Sequence, residues 1–88
     1  MVKLNKKELA WFARLEKCLA AAPDSLRDKV DSYTIGDNVV VVFDKKVVHD
    51  YDASLPSWNT VDRCAMVYDT ESQLYRLVFP FSVESTAG

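Results

Sequence analysis

Apolar residues recur every three or four positions between residues 6 and 22, the spacing of an amphipathic helix. At about 100° per residue, six of them form one apolar stripe: Trp11, Phe12, Leu15, Cys18, Leu19 and Ala22. The opposite side carries four cations: Lys6, Lys7, Arg14 and Lys17. Asn5 and Glu8 have the spacing of a capping box, and Pro23 ends the pattern. We therefore predict a helix over residues 6–22, with Trp11 and Phe12 in the core.

The middle of the chain has an extended pattern. Residues 33–35 form a short predicted strand, Gly36-Asp37 suit a tight turn, and five apolar residues follow at 39–43. Alternate side chains of a strand point to opposite faces, so Val40 and Val42 share the face away from Val39 and Phe43. Both faces are apolar. The predicted helix can cover one of them, and the other needs a loop, a second copy or a partner.

Three later segments also have alternating or β-branched character, at residues 47–51, 61–68 and 74–81. Together with the hairpin they predict an α+β fold, in which the N-terminal helix packs on one face of a four- to five-stranded antiparallel meander. We expect one domain over residues 1–88, with a frayed tail at 82–88. Residues 52–60 form an irregular loop containing Trp58. Trp58 either pins this loop to the core or serves as a recognition residue.

Charge is unevenly distributed along the chain. The net charge is −2, but residues 1–20 carry five cations and two anions (+3), and residues 21–88 carry six cations and eleven anions (−5). The acidic balance argues against a general nucleic-acid-binding protein. The basic side of the predicted helix leaves that function as an alternative, which steep weakening of binding by salt would reveal.

The sequence contains few groups for catalysis or metal binding. His49 is the single histidine, and Cys18 and Cys64 have no CxxC partner. We expect both cysteines to be buried, reduced thiols, with a disulfide between them as the alternative. Two glycines leave no phosphate-binding loop. We therefore expect no enzyme activity, cofactor or metal, and no membrane-spanning segment.

Five segments together resemble small proteins of uncharacterised function encoded by bacteriophages and prophages. They are LNKKELAWF at 4–12, the break at Ala22-Pro23, YTIGD at 33–37, VVVFD at 40–44 and FPFSVESTAG at 79–88. The resemblance implies a small accessory role in the bacterial cytoplasm and transfers no active site.

These observations favour a small non-enzymatic protein that acts by binding another protein, and inhibition of a host protein is one form that this function can take. The predicted contact residues are Val40, Val42 and Trp58, and a homodimer through the same sheet face is compatible with this function. The alternative is a nucleic-acid-binding accessory protein that uses Lys6, Lys7, Arg14 and Lys17.

Overall fold

The structure, a computed structural model, describes residues 1–85. These residues form four helices and three strands, in the order α1 (Lys6–Ala20), α2 (Leu26–Lys29), β1 (Val30–Tyr33), β2 (Val39–Asp44), α3 (Lys45–Ser54), α4 (Arg63–Thr70) and β3 (Gln73–Val78). The predicted α+β class with an antiparallel sheet is confirmed. Two of the predicted strands are helices, so the sheet within residues 1–85 has three strands and not four or five.

The sheet has the order β1-β2-β3, and both strand pairs are antiparallel. β1 and β2 form the predicted hairpin, whereas α3 and α4 connect β2 to β3. In the β2–β3 register, Val40 lies opposite Leu77 and Val42 lies opposite Tyr75. The register then shifts, because Phe43 lies opposite Gln73 and leaves Leu74 as the extra residue of a bulge. This register decides which side chains share a face.

The hairpin loop is built around Gly36, as the sequence predicts. Gly36 has φ +95°, a left-handed conformation that glycine adopts without a Cβ penalty. The Thr34 hydroxyl accepts from the Gly36 N–H at 3.2 Å and donates to the Val39 carbonyl at 3.0 Å. Because Thr34 closes the loop in this way, the first strand ends at Tyr33 instead of running over residues 33–35.

The core lies between the sheet and the pair α3–α4. Val39 and Phe43 of β2 are buried on one face of the sheet. Val48 of α3 and Met66 and Val67 of α4 are also buried, and together with Phe43 they form one cluster. One face of β2 is therefore covered by helices that follow it in the chain, not by the N-terminal helix.

The predicted strand at residues 47–51 is wrong, because these residues lie in α3. The Asp44 carboxylate caps this helix by accepting from the Val47 N–H at 3.1 Å. Val48, Tyr51 and Leu55 then follow at a helical spacing and pack in or against the core. An Asp cap directly before a 3-4-7 apolar spacing outweighs the β-propensity of the two valines.

The predicted strand at residues 61–68 is also wrong, because most of it forms α4. Asp62 caps the helix by accepting from the Ala65 N–H at 2.8 Å. Met66 and Val67 are both buried, although they are neighbours in the chain, and Tyr68 is 82% exposed. Adjacent residues of a strand face opposite sides, so only a helix places both side chains against one core.

The N-terminal helix begins as predicted but is not part of the core. Asn5 and Glu8 form both hydrogen bonds of the capping box, each at 2.8 Å. No residue of α1 is buried. Trp11 and Phe12, predicted in the core, contact Phe81 at centroid distances of 6.1 and 6.0 Å and remain partly exposed.

The molecule is elongated, with dimensions of 51 × 31 × 18 Å. Its radius of gyration is 16.1 Å, compared with about 12 Å for a compact domain of this length. Within the predicted tail, the Val83 N–H donates to the Asp37 carbonyl at 2.7 Å. Residues 86–88, which complete that predicted tail, lie outside the described residues.

Replacing Val48 with alanine should lower the free energy of unfolding by about 2–3 kcal/mol, because Val48 is fully buried and its methyl groups leave a cavity. Val47→Ala is the matched control: Val47 is the preceding residue of the same helix but is exposed, so the change should stay within about 0.5 kcal/mol. Denaturant unfolding of the two variants measures the difference. Equal losses would contradict the assignment of the buried side of α3.

Replacing Glu71 with glycine should stabilise the protein by about 0.5–1 kcal/mol. Glu71 follows the last residue of α4 and has φ +51°, a left-handed conformation that suits glycine at this position. Glu84→Gly is the control, since Glu84 has no positive φ. Thermal unfolding should show a higher midpoint for Glu71→Gly than for the unmodified protein, and no increase in the midpoint for Glu84→Gly.

Candidate protein-binding surface

The face of the sheet opposite the core carries five apolar side chains that the helices α3 and α4 do not cover. We call it the open face, and it consists of Val40, Val42, Leu74, Tyr75 and Leu77. Leu74, Tyr75 and Leu77 are exposed, Tyr75 at 64%. Val40 and Val42 are half-buried, and they lie opposite Leu77 and Tyr75 of β3. The open face is thus an exposed surface built on rigid strands.

A groove of about 470 Å³ crosses one end of the open face. Its walls are the open-face strands on one side and α2 on the other: Leu26, Lys29, Val30, Val42, Leu74, Tyr75 and Leu77. Lys29 is the charged residue of this lining. A large apolar concavity on a small protein marks a binding surface, because apolar area left in water is unfavourable.

The sequence predicts Val40 and Val42 in this surface, and the structure places both of them there. It adds Leu74, Tyr75 and Leu77, which the sequence pattern does not pair with the valines. Tyr75 and Leu77 do share a face in the alternating pattern of residues 74–81. Which residues of β3 lie beside Val40 and Val42 depends on the register between β2 and β3. Two helices separate these strands in the chain and a bulge shifts their pairing, so the sequence pattern does not predict this register.

The apolar stripe of α1 is the second exposed apolar surface. Leu19 is 66% exposed, Phe12 is exposed, and Trp11 and Leu15 are half-buried. Near its start, the helix forms a groove of about 320 Å³ with Pro80 and Phe81. The chain therefore has an apolar helix stripe and an apolar sheet face, and neither is fully buried.

Trp58 lies apart from the core. Its side chain is 81% exposed, while Leu55, at the start of the same loop, packs against the core cluster. The Asn59 N–H donates to the Pro56 carbonyl at 2.9 Å and closes a turn around Trp58. Leu55, not Trp58, pins the loop, so the structure removes the interpretation of Trp58 as a core anchor.

The basic side of α1 is also exposed. Lys6, Lys7, Arg14 and Lys17 are all exposed, and none of them forms an ion pair with another residue of the described chain. These are the residues of the nucleic-acid alternative. They all lie on one helix, α1.

The candidate chemical groups do not converge. His49 lies in α3, where its Nε2 is 4.0 Å from the Asp31 carboxylate of β1. Cys18 and Cys64 are free and exposed, which corrects the expectation of buried thiols. Within residues 1–85, no group of three or more His, Cys, Asp or Glu side chains is arranged to hold a metal ion.

Two tyrosines have perturbed titration. Burial, followed by a hydrogen bond with Cys64, raises the pKa of Tyr33 to about 12. Partial burial and a 3.2 Å hydrogen bond to Asp69 raise the pKa of Tyr51. Both effects hold the tyrosines in their neutral form. The contact of Tyr33 with Cys64 connects β1 to α4, and the hydrogen bond of Tyr51 with Asp69 connects α3 to α4.

No protein-family model, curated protein or solved structure matches the chain. Among the described residues, no helix has the length and apolar character needed to cross a membrane. The function is therefore inferred from the surfaces of this chain.

In a titration of phenolate absorbance, Tyr33 should be the last of the four tyrosines to ionise. Tyr33→Phe should remove the step near pH 12, and Tyr68→Phe, at an exposed position, should leave it in place. Because the folded-state pKa lies above the unfolded value near 10, this contribution to stability is present below pH 10 and is lost between pH 10 and about 12. A Tyr33→Phe variant with an unchanged last step would contradict the burial of this phenol.

Proposed function

We propose that this chain is a small non-enzymatic accessory protein of the phage type, which binds a host protein in the bacterial cytoplasm through its open face and inhibits it. The observation that carries the proposal is the open face itself. Its five apolar side chains lie on the paired strands β2 and β3, and the exposed Tyr75 lies opposite Val42. Aromatic side chains that fill a partner's pocket contribute most to protein–protein affinity.

The shape of the open face suits a helix. Three strands spaced at about 4.8 Å span about 10 Å between the outer strand axes, which is close to the diameter of a helix. α2 borders this surface on one side and makes the groove concave. The partner segment that fits is an amphipathic helix, whose apolar stripe would cover the open face.

Charge defines the partner further. Residues 21–88, which contain the sheet and its covering helices, carry a net charge of −5. A partner helix with basic residues beside its apolar stripe would be steered towards this body and tolerated at its rim. We therefore expect the host target to present a basic amphipathic helix.

A nucleic-acid-binding role is the second candidate, and one observation favours it. The four cations of α1 are exposed and form no ion pair within the described chain. Phosphate groups of a nucleic acid could bind to these cations. The acidic body beside the helix opposes this role, since its net charge repels a polyanion.

Capture of proteins from a bacterial lysate by the tagged chain tests the proposal. Tyr75→Asp should reduce capture of a specific host protein at least tenfold, because a carboxylate in an apolar contact is desolvated without a partner. Tyr68→Asp is the matched control, since Tyr68 is exposed on α4, away from the open face. The control should bind like the unmodified protein, and circular dichroism should show the same fold for all.

Three results would change the assignment. Equal capture by the Tyr75→Asp variant would overturn the open face as the binding surface. Loss on Trp58→Ala alone would move the site to the loop at residues 56–60. Capture of nucleic acid that is released steeply with rising salt would favour the second candidate.

A further inference from the structure

We propose that a second copy of this chain occupies the open face, with α1 of each protomer lying on the open face of the other in a two-fold dimer. This inference rests on the proposed function, because it takes the open face as a surface that binds a helix. It names α1 of the second copy as that helix. The observation behind it is that one chain presents both halves of a helix-on-sheet contact. Phe12 and Leu19 of the α1 stripe are exposed, and Leu74, Tyr75 and Leu77 of the open face are exposed.

The two surfaces have matching dimensions. α1 has 15 residues and is about 22 Å long. β2, the central strand of the open face, has six residues and is about 20 Å long. A helix that lies along this strand can therefore place its whole apolar stripe on the sheet.

The charges of the two halves are opposite. Residues 1–20, which include α1, carry +3, and residues 21–88 carry −5. Lys6 and Lys17 lie on the side of α1 away from the stripe, and Lys7 and Arg14 lie along one edge of it. Long side chains at the edge of a contact can keep their charged ends in solvent while the stripe is buried. Each basic helix is thus attracted to the acidic body of the other protomer without burying a charge.

Two-fold symmetry doubles the contact. Each protomer supplies one helix and one open face, so two equivalent contacts close the dimer. The stripe and the open face together expose enough apolar side chain for the two contacts to bury on the order of 1,000 Å², near the lower limit of stable interfaces. We therefore expect a dimer that dissociates in the micromolar range, which a host helix can displace.

Sedimentation or light scattering of the full chain at about 200 µM should give a mass near 20 kDa, twice that of the 10.0 kDa protomer. Tyr75→Asp, in the open face, and Leu19→Lys, in the stripe, should each restore a monomer. Their controls are Tyr68→Asp and Leu9→Lys, which change exposed residues outside the two surfaces and should remain dimeric. A dimer that is lost in the Tyr75→Asp variant but persists in the Leu19→Lys variant would overturn the role of α1.

Disulfide trapping separates contact between copies from contact within one copy. Cys18 is an exposed residue of the α1 stripe. In a Cys64→Ser background, Tyr75→Cys should give a crosslinked dimer with Cys18 under mild oxidation, and Tyr68→Cys should not. A disulfide within one chain would show that α1 folds onto its own sheet, and this result would overturn the proposal.

The two proposals fail separately. A monomer of about 10 kDa at every concentration that still captures a host protein through Tyr75 would overturn the dimer and leave the proposed function intact. A dimer that captures no host protein, even when Leu19→Lys frees the open face, would overturn the proposed function and leave the dimer intact.

Discussion

Strand β2 is apolar on both faces, and the rest of the structure follows from how each face is covered. Phe43 is covered by α3 and α4, which follow β2 in the chain, and Val41 packs against the same cluster. Val40 and Val42 are partly sheltered by their own strand neighbours. Within residues 1–85, α2 borders the open face and Leu74, Tyr75 and Leu77 remain exposed on it, so this face lacks the second layer that α3 and α4 give the other face.

The helix pair, not the N-terminal helix, builds the core because of local capping. Asp44 and Asp62 each end an extended segment and accept a backbone N–H three residues later. Each cap lowers the free energy of its helix by about 1 kcal/mol, which favours helix over strand in segments rich in β-branched residues. The cap at Asp44 also turns the chain back at the end of β2, so Val48 lies beside Phe43.

Elements with one clear local signal were predictable from the sequence, whereas segments with conflicting local signals and features set by distant residues were not. The capping box at Asn5 and Glu8, the turn at Gly36 and the strand at residues 39–43 were each predictable, because their causes lie within a few positions. Residues 47–51 and 61–68 were misassigned, since their valines fit a strand by propensity and a helix by spacing. Of the candidate site, Val40 and Val42 were predictable from alternation. Tyr75 and Leu77 required a register that a bulge and two helices determine.

The small core explains why the uncovered surfaces matter for stability. Five apolar side chains are buried in the described chain: Val39, Phe43, Val48, Met66 and Val67. A domain of this size has a narrow stability margin, because it buries a smaller fraction of its surface than a large one. Covering Tyr75 and its neighbours with an apolar helix would add roughly 25 cal/mol for each Å² removed from water. An apolar helix bound to the open face would therefore also raise the stability of the folded chain.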